Sequence, residues 1–400
     1  MKKLISLVCL TVLLISCHKD EEEQTPQTRT VVVYMSAENR LSYYADSDMA
    51  EMKEGSKSIS DNDNLIVYCD RAVEGELPWL GRIKNGVITD SVSIADMQIS
   101  NKDELASSPH IFEKVLSYAY SHYPATDGYG LVLWGHASGW LVEDSVAYTR
   151  GYGVDNGSNS SRFDGTLWLN IPTIRRVLEK QPHLSFIFAD CCNFMCLESI
   201  YELRNVTDYV IGSPAEIPDM GAPYTTVVPA MFDHNNFVNR IIDNYYVSNK
   251  DHLPLSAVKT SEMENLATAT STALKTIYNQ QESDYPDLTG LIHYYNEYSS
   301  RFLPSYSIFY DAGDFILKYA PTEAYQVWKQ VFDRAIVDKR FATSWMTNKS
   351  WGTHYSDFTM TTERFHGVSI FIPQDPQTGF YRYYNQRIES FLWHKAVWQW

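Results

Sequence analysis

The chain has 400 residues, of which 44% are hydrophobic and 20% charged. That globular balance excludes a disordered or fibrous protein and allows a large core, in one or two domains. Thirty-three basic against 49 acidic side chains give a formal charge of −16, a field that repels phosphate backbones, so nucleic acid is not an expected partner.

Lys2 and Lys3 precede an apolar run from Leu4 to Ile15, the pattern of a secretory signal over residues 1–16. The run is well short of the roughly 20 residues a membrane-spanning helix needs. Leu14-Ile15-Ser16-Cys17 resembles the bacterial lipobox. The resemblance implies cleavage before Cys17, lipid on its thiol, and an exported chain that meets the outer membrane only through that anchor. Residues 17–28 form a polar tether, whose acidic run resembles the surface-export signal of lipoproteins in the Bacteroides group.

Thr30 to Ser36 reads as a strand buried on both faces. A helix follows from Leu41 to Met52, with Asp46, Asp48 and Glu51 expected on its wet side. Asn64 to Asp70 is the next buried strand, and Trp79 to Ile94 is a hairpin turning at Lys84-Asn85-Gly86. Ser108-Pro109 opens a helix to about His122, ahead of a third buried strand, Gly130 to Trp134. A short helix at Ile171 to Glu179, a strand at Leu184 to Asp190, a helix at Leu197 to Arg204 and a strand at Asp208 to Ser213 follow. Such repeated strand-helix units predict a parallel sheet with right-handed crossovers.

The pattern changes after residue 248, so residues 29–248 are taken as the core and 249–400 as a helix-rich C-terminal region that adds late strands. Leu255 to Lys259 reads as a strand, and Ser261 with Glu264 as a capping box for a helix to about Gln281. Further helices are expected at Leu288 to Arg301, Ser307 to Tyr319, Glu323 to Val337 and Tyr381 to Trp398, with a strand at Gly367 to Pro373.

Of six cysteines, Cys9 leaves with the signal and Cys17 is the anchor. Cys69, Cys191, Cys192 and Cys196 make a poor disulfide framework. One C-x3-C without H-E-x-x-H predicts no metal site. Cys69 and Cys196 read as buried structural thiols.

Ligands of open parallel sheets sit beyond the carboxyl ends of the strands. One strand runs into Gly135-His136-Ala137-Ser138-Gly139, and another ends in Asp190-Cys191-Cys192. A thiol and an imidazole at neighbouring strand ends make a nucleophilic dyad, His136 with a cysteine. Backbone N–H groups of Gly135, Ala137 and Cys192 are candidates for an oxyanion hole. An unpaired carboxylate at Asp190 would attract a cationic side chain, Arg over Lys where the contact is bidentate.

These residues resemble the clostripain family of cysteine peptidases, in the clan of caspases and gingipain. LVLWGHASGW (Leu131 to Trp140) is similar to its histidine motif, and FADCCNFMCLESIYEL (Phe188 to Leu203) to its cysteine motif. VVVYMSAENRL, NLIVYCDR, YVIGSPAEIPDMGAPY and GVSIFIP add to the match. The resemblance implies a caspase-like α/β/α sandwich with a mostly parallel central sheet. It also implies an endopeptidase cutting after Arg or Lys, with His136 and Cys192 catalytic, Asp190 in the specificity pocket and Asp219 as a second acid. Self-processing is expected after Arg150, with Arg162 as the fallback.

The substrates would be proteins or peptides with basic residues at the cleavage site. No cofactor is expected; the family leaves calcium open, and no D-x-D-x-D-G loop argues for it. Gly135 and Ala137 depart from the usual Asn and Gly of the histidine motif. A catalytically weak protein that binds basic peptides is therefore the alternative. A carbohydrate-binding lipoprotein, suggested by 28 Tyr and 10 Trp, is a remoter one.

Overall fold

A computed structural model describes residues 27–141, 151–155, 157, 167–250, 252–280, 283–295, 307–345 and 358–399. The signal segment, Cys17, nearly all of the tether, Arg150 and Arg162 lie outside the described residues.

All eight side chains of β1 (Thr30–Ala37) are buried, as both faces of a central strand require. Helix α1 (Ser42–Gly55) follows, then β2 (Asn64–Arg71) parallel to β1. The hairpin of β3 (Trp79–Lys84) and β4 (Val87–Ser93) turns at Asn85-Gly86 and extends the sheet antiparallel from β2. Helix α2 (Pro109–His122) starts on its proline and leads to β5 (Tyr129–Gly135), parallel to β1 on its other side.

A small ribbon of β6 (Tyr152–Asp155) and β7 (Leu167–Leu169) comes next, then α3 (Ile171–Leu178) and β8 (Leu184–Asp190), parallel to β5. Helix α4 (Leu197–Leu203), β9 (Tyr209–Gly212), α5 (Tyr224–Met231), α6 (Phe237–Ser248), β10 (Leu255–Lys259) and α7 (Met263–Gln280) continue the chain. The remainder holds β11 (Tyr310–Asp311), α8 (Ala312–Tyr319), α9 (Thr322–Ala335), β12 (Ile336–Arg340), β13 (Ser369–Ile370), α10 (Gly379–Ile388) and α11 (Leu392–Val397).

Nine strands form one sheet in the order β12-β10-β9-β8-β5-β1-β2-β3-β4, with a parallel centre and antiparallel edges. Two cores cover its faces. One gathers α2, α3, α4, α7 and the C-terminal helices; the other gathers α1, α5 and α6. This is the caspase-like α/β/α sandwich.

Several sequence expectations need correction. The helix expected from Ser307 to Tyr319 starts only at Ala312, because Tyr310–Asp311 pairs with Ser369–Ile370, which is all that is strand within Gly367 to Pro373. Leu288 to Tyr295 is extended and turned, not helical, and His293 bridges Tyr310; the remainder of that expected helix falls outside the described residues. The helix expected from Glu323 to Val337 ends at Ala335, because Ile336–Arg340 pairs with the open edge of β10. The closing helix breaks at Glu389 to Phe391. Glu264 forms no capping box: it accepts from Tyr201 and Arg204 instead, and α7 is preceded by a tight 3-10 turn.

Candidate active site

β5 and β8 are parallel neighbours, so the two motif loops emerge at the same edge of the sheet. Past the end of β8 side chains continue to alternate, which sends Asp190 and Cys192 to one face and Cys191 to the other. Cys191 is fully buried in the α2–α4 core, whereas Cys192 is half-buried beside the α1–α5 core. Cys69 and Cys196 are buried and free of disulfides.

Cys192 and His136 line one narrow cleft, together with Trp134, Asp190, Ile217 and Asp219. The backbone N–H of Ile217 donates to the Cys192 sulfur at 3.4 Å. Asp190 forms the floor and Asp219 stands exposed at the rim.

The histidine loop is held by the ribbon. Gly153 N–H donates to the His136 carbonyl and Ser138 N–H to the Gly151 carbonyl, each at 2.9 Å, with Ala137 facing Tyr152. In such a narrow pair the N–H of Ala137 points away from the partner strand. Gly135 has φ 148°, where a Cβ would sit 3.0 Å from the Ser36 carbonyl. The two motif loops touch at Gly139: its φ is +62°, and a Cβ there would come 2.6 Å from the Asn193 carbonyl. Asn193 itself adopts φ +53° while its N–H donates to the Ala215 carbonyl.

Burial sets the charge state of the dyad. It pushes the Cys192 thiol up to about 12, helped by the nearby carboxylates of Glu216, Asp219 and Asp190 and opposed by the Ile217 hydrogen bond. Burial, with a smaller contribution from the Arg40 charge, lowers His136 to about 4. The resting pair is therefore thiol and neutral imidazole, not thiolate and imidazolium.

Asp190 differs from the unpaired carboxylate expected from sequence. Oδ2 accepts from Tyr224 Oη at 2.7 Å and from Ala222 N–H at 3.1 Å, and Oδ1 accepts from Tyr245 Oη at 2.9 Å. Burial raises its pKa and these three donors oppose the rise. Asp48, expected on the wet side of α1, is buried beneath the cleft and accepts from Trp134 Nε1 at 2.6 Å. Burial, then the Asp190 charge, raise it to about 8. Asp190 has three donors, and Asp48 has Trp134 with a smaller contribution from Ser47, so negative charge is better held on Asp190 than on Asp48.

Sequence reading did not single out Asp48, Tyr224, Tyr245 or Ile217. Tyr224 closes the motif YVIGSPAEIPDMGAPY, which was the available signal; Tyr245 had none.

A thiol and an imidazole at adjacent strand ends of a caspase-like sheet are the groups that cysteine-peptidase chemistry requires. The clostripain family model matches residues 33–400. The chain belongs to that family.

Among solved structures it is similar to a secreted C11 cysteine protease from Bacteroides thetaiotaomicron in complex with an irreversible peptide inhibitor. The two are 28% identical, with a TM-score of 0.73 over 92% of this chain and 98% of that one. It is also similar to an inactive zymogen C11 protease from Parabacteroides distasonis, 26% identical, with a TM-score of 0.73 over 94% and 99% of the two chains. A second secreted C11 cysteine protease of Bacteroides thetaiotaomicron shares the fold at 20% identity, with a TM-score of 0.72. No match was found among curated proteins. Among the described residues no helix is long and apolar enough to cross a membrane.

Proposed function

We propose that the chain is an endopeptidase that cleaves after Arg or Lys, with Cys192 as nucleophile and His136 as general base. The observation that carries this reading is the single cleft shared by Cys192, His136, Asp190 and Asp219. His136 takes the thiol proton as the sulfur attacks the scissile carbonyl carbon. The negative charge on that oxygen meets N–H groups drawn from Gly135, Ala137 and Cys192. Collapse breaks the C–N bond, His136 returns the proton to the leaving amine, and water hydrolyses the thioester.

A carboxylate offers about four acceptor directions, and three of those on Asp190 are taken. Asp190 thus meets a P1 cation through one remaining direction on Oδ1, and Asp219 supplies the second charge. This supports Lys as well as Arg, since the bidentate fork on Asp190 alone is blocked.

Hydrolysis of fluorogenic peptides ending in Arg, Lys or Ala tests the reading. Wild type and Cys191→Ala should cleave the Arg and Lys peptides, and Cys192→Ala none. Activity that survives Cys192→Ala and is lost in Cys191→Ala overturns the assignment. Self-processing after Arg150, with Arg162 as the fallback, belongs to the same reading: purified Cys192→Ala should remain one chain, and two fragments split at Arg150 would sink that part. Attachment through lipid on Cys17 predicts that Cys17→Ala is released from membranes.

A further inference from the structure

Beneath Cys192 and His136 stands a second pair of side chains. Trp134 and Asp190 are register partners on the neighbouring parallel strands β5 and β8, so their side chains lie side by side. Trp134 packs in the α1–α5 core, and Asp190 is bonded to Tyr224 of α5 and Tyr245 of α6. His136 and Cys192 each follow two positions later in the chain. Two positions of extended backbone span about 6.6 Å, the depth that a lysine or arginine side chain reaches. A P1 side chain descending from the scissile bond to Asp190 therefore passes along Trp134, which lines the same cleft.

The indole is held from behind. Trp134 Nε1 donates to Asp48 Oδ2 at 2.6 Å, and Asp48 on α1 is 2% exposed. A buried N–H that loses its acceptor carries a full desolvation penalty, so the ring turns to wherever an acceptor is found. The backbone beneath the ring is pinned separately, because Tyr152 Oη donates to the Trp134 carbonyl at 3.1 Å. Losing Asp48 would thus free the ring and leave the strand in place.

A carboxyl is a costly choice for so simple a bond. Burial, then the Asp190 charge, raise Asp48 to about 8, and Glu51, one turn further along α1, adds to the negative field at both Asp48 and Asp190. At pH 7 Asp48 is mainly a neutral carboxyl that still accepts from the indole, and the charge that meets the P1 cation stays on Asp190.

We propose that Asp48 is a specificity-determining positioning residue: through Trp134 Nε1 it fixes the indole as the wall along which the P1 side chain reaches Asp190. The proposal rests on the cleavage after Arg or Lys put forward above. Asp48 serves binding of the P1 side chain and not the chemical step, because its bond lies two positions below the dyad. A released indole would swing into the passage or out of the wall, and either movement weakens the hold on a P1 cation while the thiol and imidazole keep their places.

The test is hydrolysis of peptides ending in Arg, Lys or Ala by wild type, Asp48→Ala, Asp48→Asn and Trp134→Phe, with the unfolding temperature of each. Asp48→Ala should raise KM for the Arg and Lys peptides about tenfold, with kcat within about threefold of wild type and little change for the Ala peptide. Asp48→Asn keeps a neutral acceptor of the same shape and should restore KM. Trp134→Phe, which lacks the donor, should repeat the rise. The Ki of benzamidine, a cation that fills such a pocket without reacting, should rise in parallel with KM.

A fall in kcat with KM and benzamidine Ki unchanged would overturn the proposal, as would Asp48→Asn impaired as severely as Asp48→Ala. If Asp48→Ala does not fold, the other two variants decide: weak benzamidine binding by Trp134→Phe with near-normal binding by Asp48→Asn supports the proposal, and wild-type Ki in both overturns it. Failure of the proposal alone leaves wild-type cleavage after Arg and Lys intact. A wild type that cleaves neither peptide overturns the reading beneath it, and the proposal with it.

Discussion

Tyr224 donates its hydroxyl to Asp190 Oδ2 across 2.7 Å beneath the cleft, and both residues are buried. This bond ties α5 to the end of β8 and holds the negative charge of the floor in place. Removing the hydroxyl with Tyr224→Phe leaves a buried carboxylate short of a donor, at a cost of about 1–3 kcal/mol.

The cost should depend on pH in one direction. Losing a donor raises the folded-state pKa of Asp190 further, so the penalty is present where Asp190 is charged and fades as pH falls and it protonates. Urea unfolding of wild type and Tyr224→Phe should therefore differ more at pH 8 than at pH 5. An equal difference at both would mean that Asp190 holds a single charge state across that range.

The thiol of Cys192, held up to about 12, and the imidazole of His136, lowered to about 4, predict a substrate-free enzyme without an ion pair. Thiolate then increases about tenfold per pH unit below the thiol pKa. Alkylation of Cys192 by iodoacetamide should climb on that slope from pH 7 to 9. A plateau already reached at pH 7 would reveal a thiolate-imidazolium pair.

Gly139 touches the Asn193 carbonyl at a positive φ, so Gly139→Ala meets both backbone strain and a contact that must shift. The substitution should lower kcat/KM by separating the histidine and cysteine loops, and cost about 1–3 kcal/mol of stability. Calorimetry and peptide hydrolysis measure the two effects; wild-type values for both would show that the loops tolerate separation.

Arg29, at the entrance to β1, is 2% exposed. It donates to the carbonyl of Met231 at 2.9 Å and pairs with Asp127 at 2.9 Å. Replacing it with Met leaves the carbonyls of Met231 and Asp233 short of a donor and Asp127 with His234 alone, and should cost about 1–3 kcal/mol. Because the loss falls at the base of the sheet, hydrolysis per folded molecule should be unchanged; denaturant titration and assays below the transition check both halves.

Much of the sheet is legible along the chain. Runs such as Val31 to Met35 and Phe186 to Ala189 are apolar throughout, and only a strand covered on both faces hides every residue of such a run. The C-terminal third was less readable. Ile336–Arg340 follows α9 directly, and only the open edge of β10 makes it a strand. Leu288 to Tyr295 has apolar residues that suit a helix, yet the extended form lets the Ile292 N–H reach Asp314 at 2.8 Å.

By itself the sequence determined which strand ends carry His136, Asp190 and Cys192, because strand patterning and the chemistry of the motifs are local properties. Only tertiary structure decided that Asp48 is buried against Trp134 and that Tyr224 and Tyr245 serve Asp190. Each of those relationships joins residues more than 30 positions apart, and their energies come from desolvation, which no stretch of sequence carries until distant segments exclude water together.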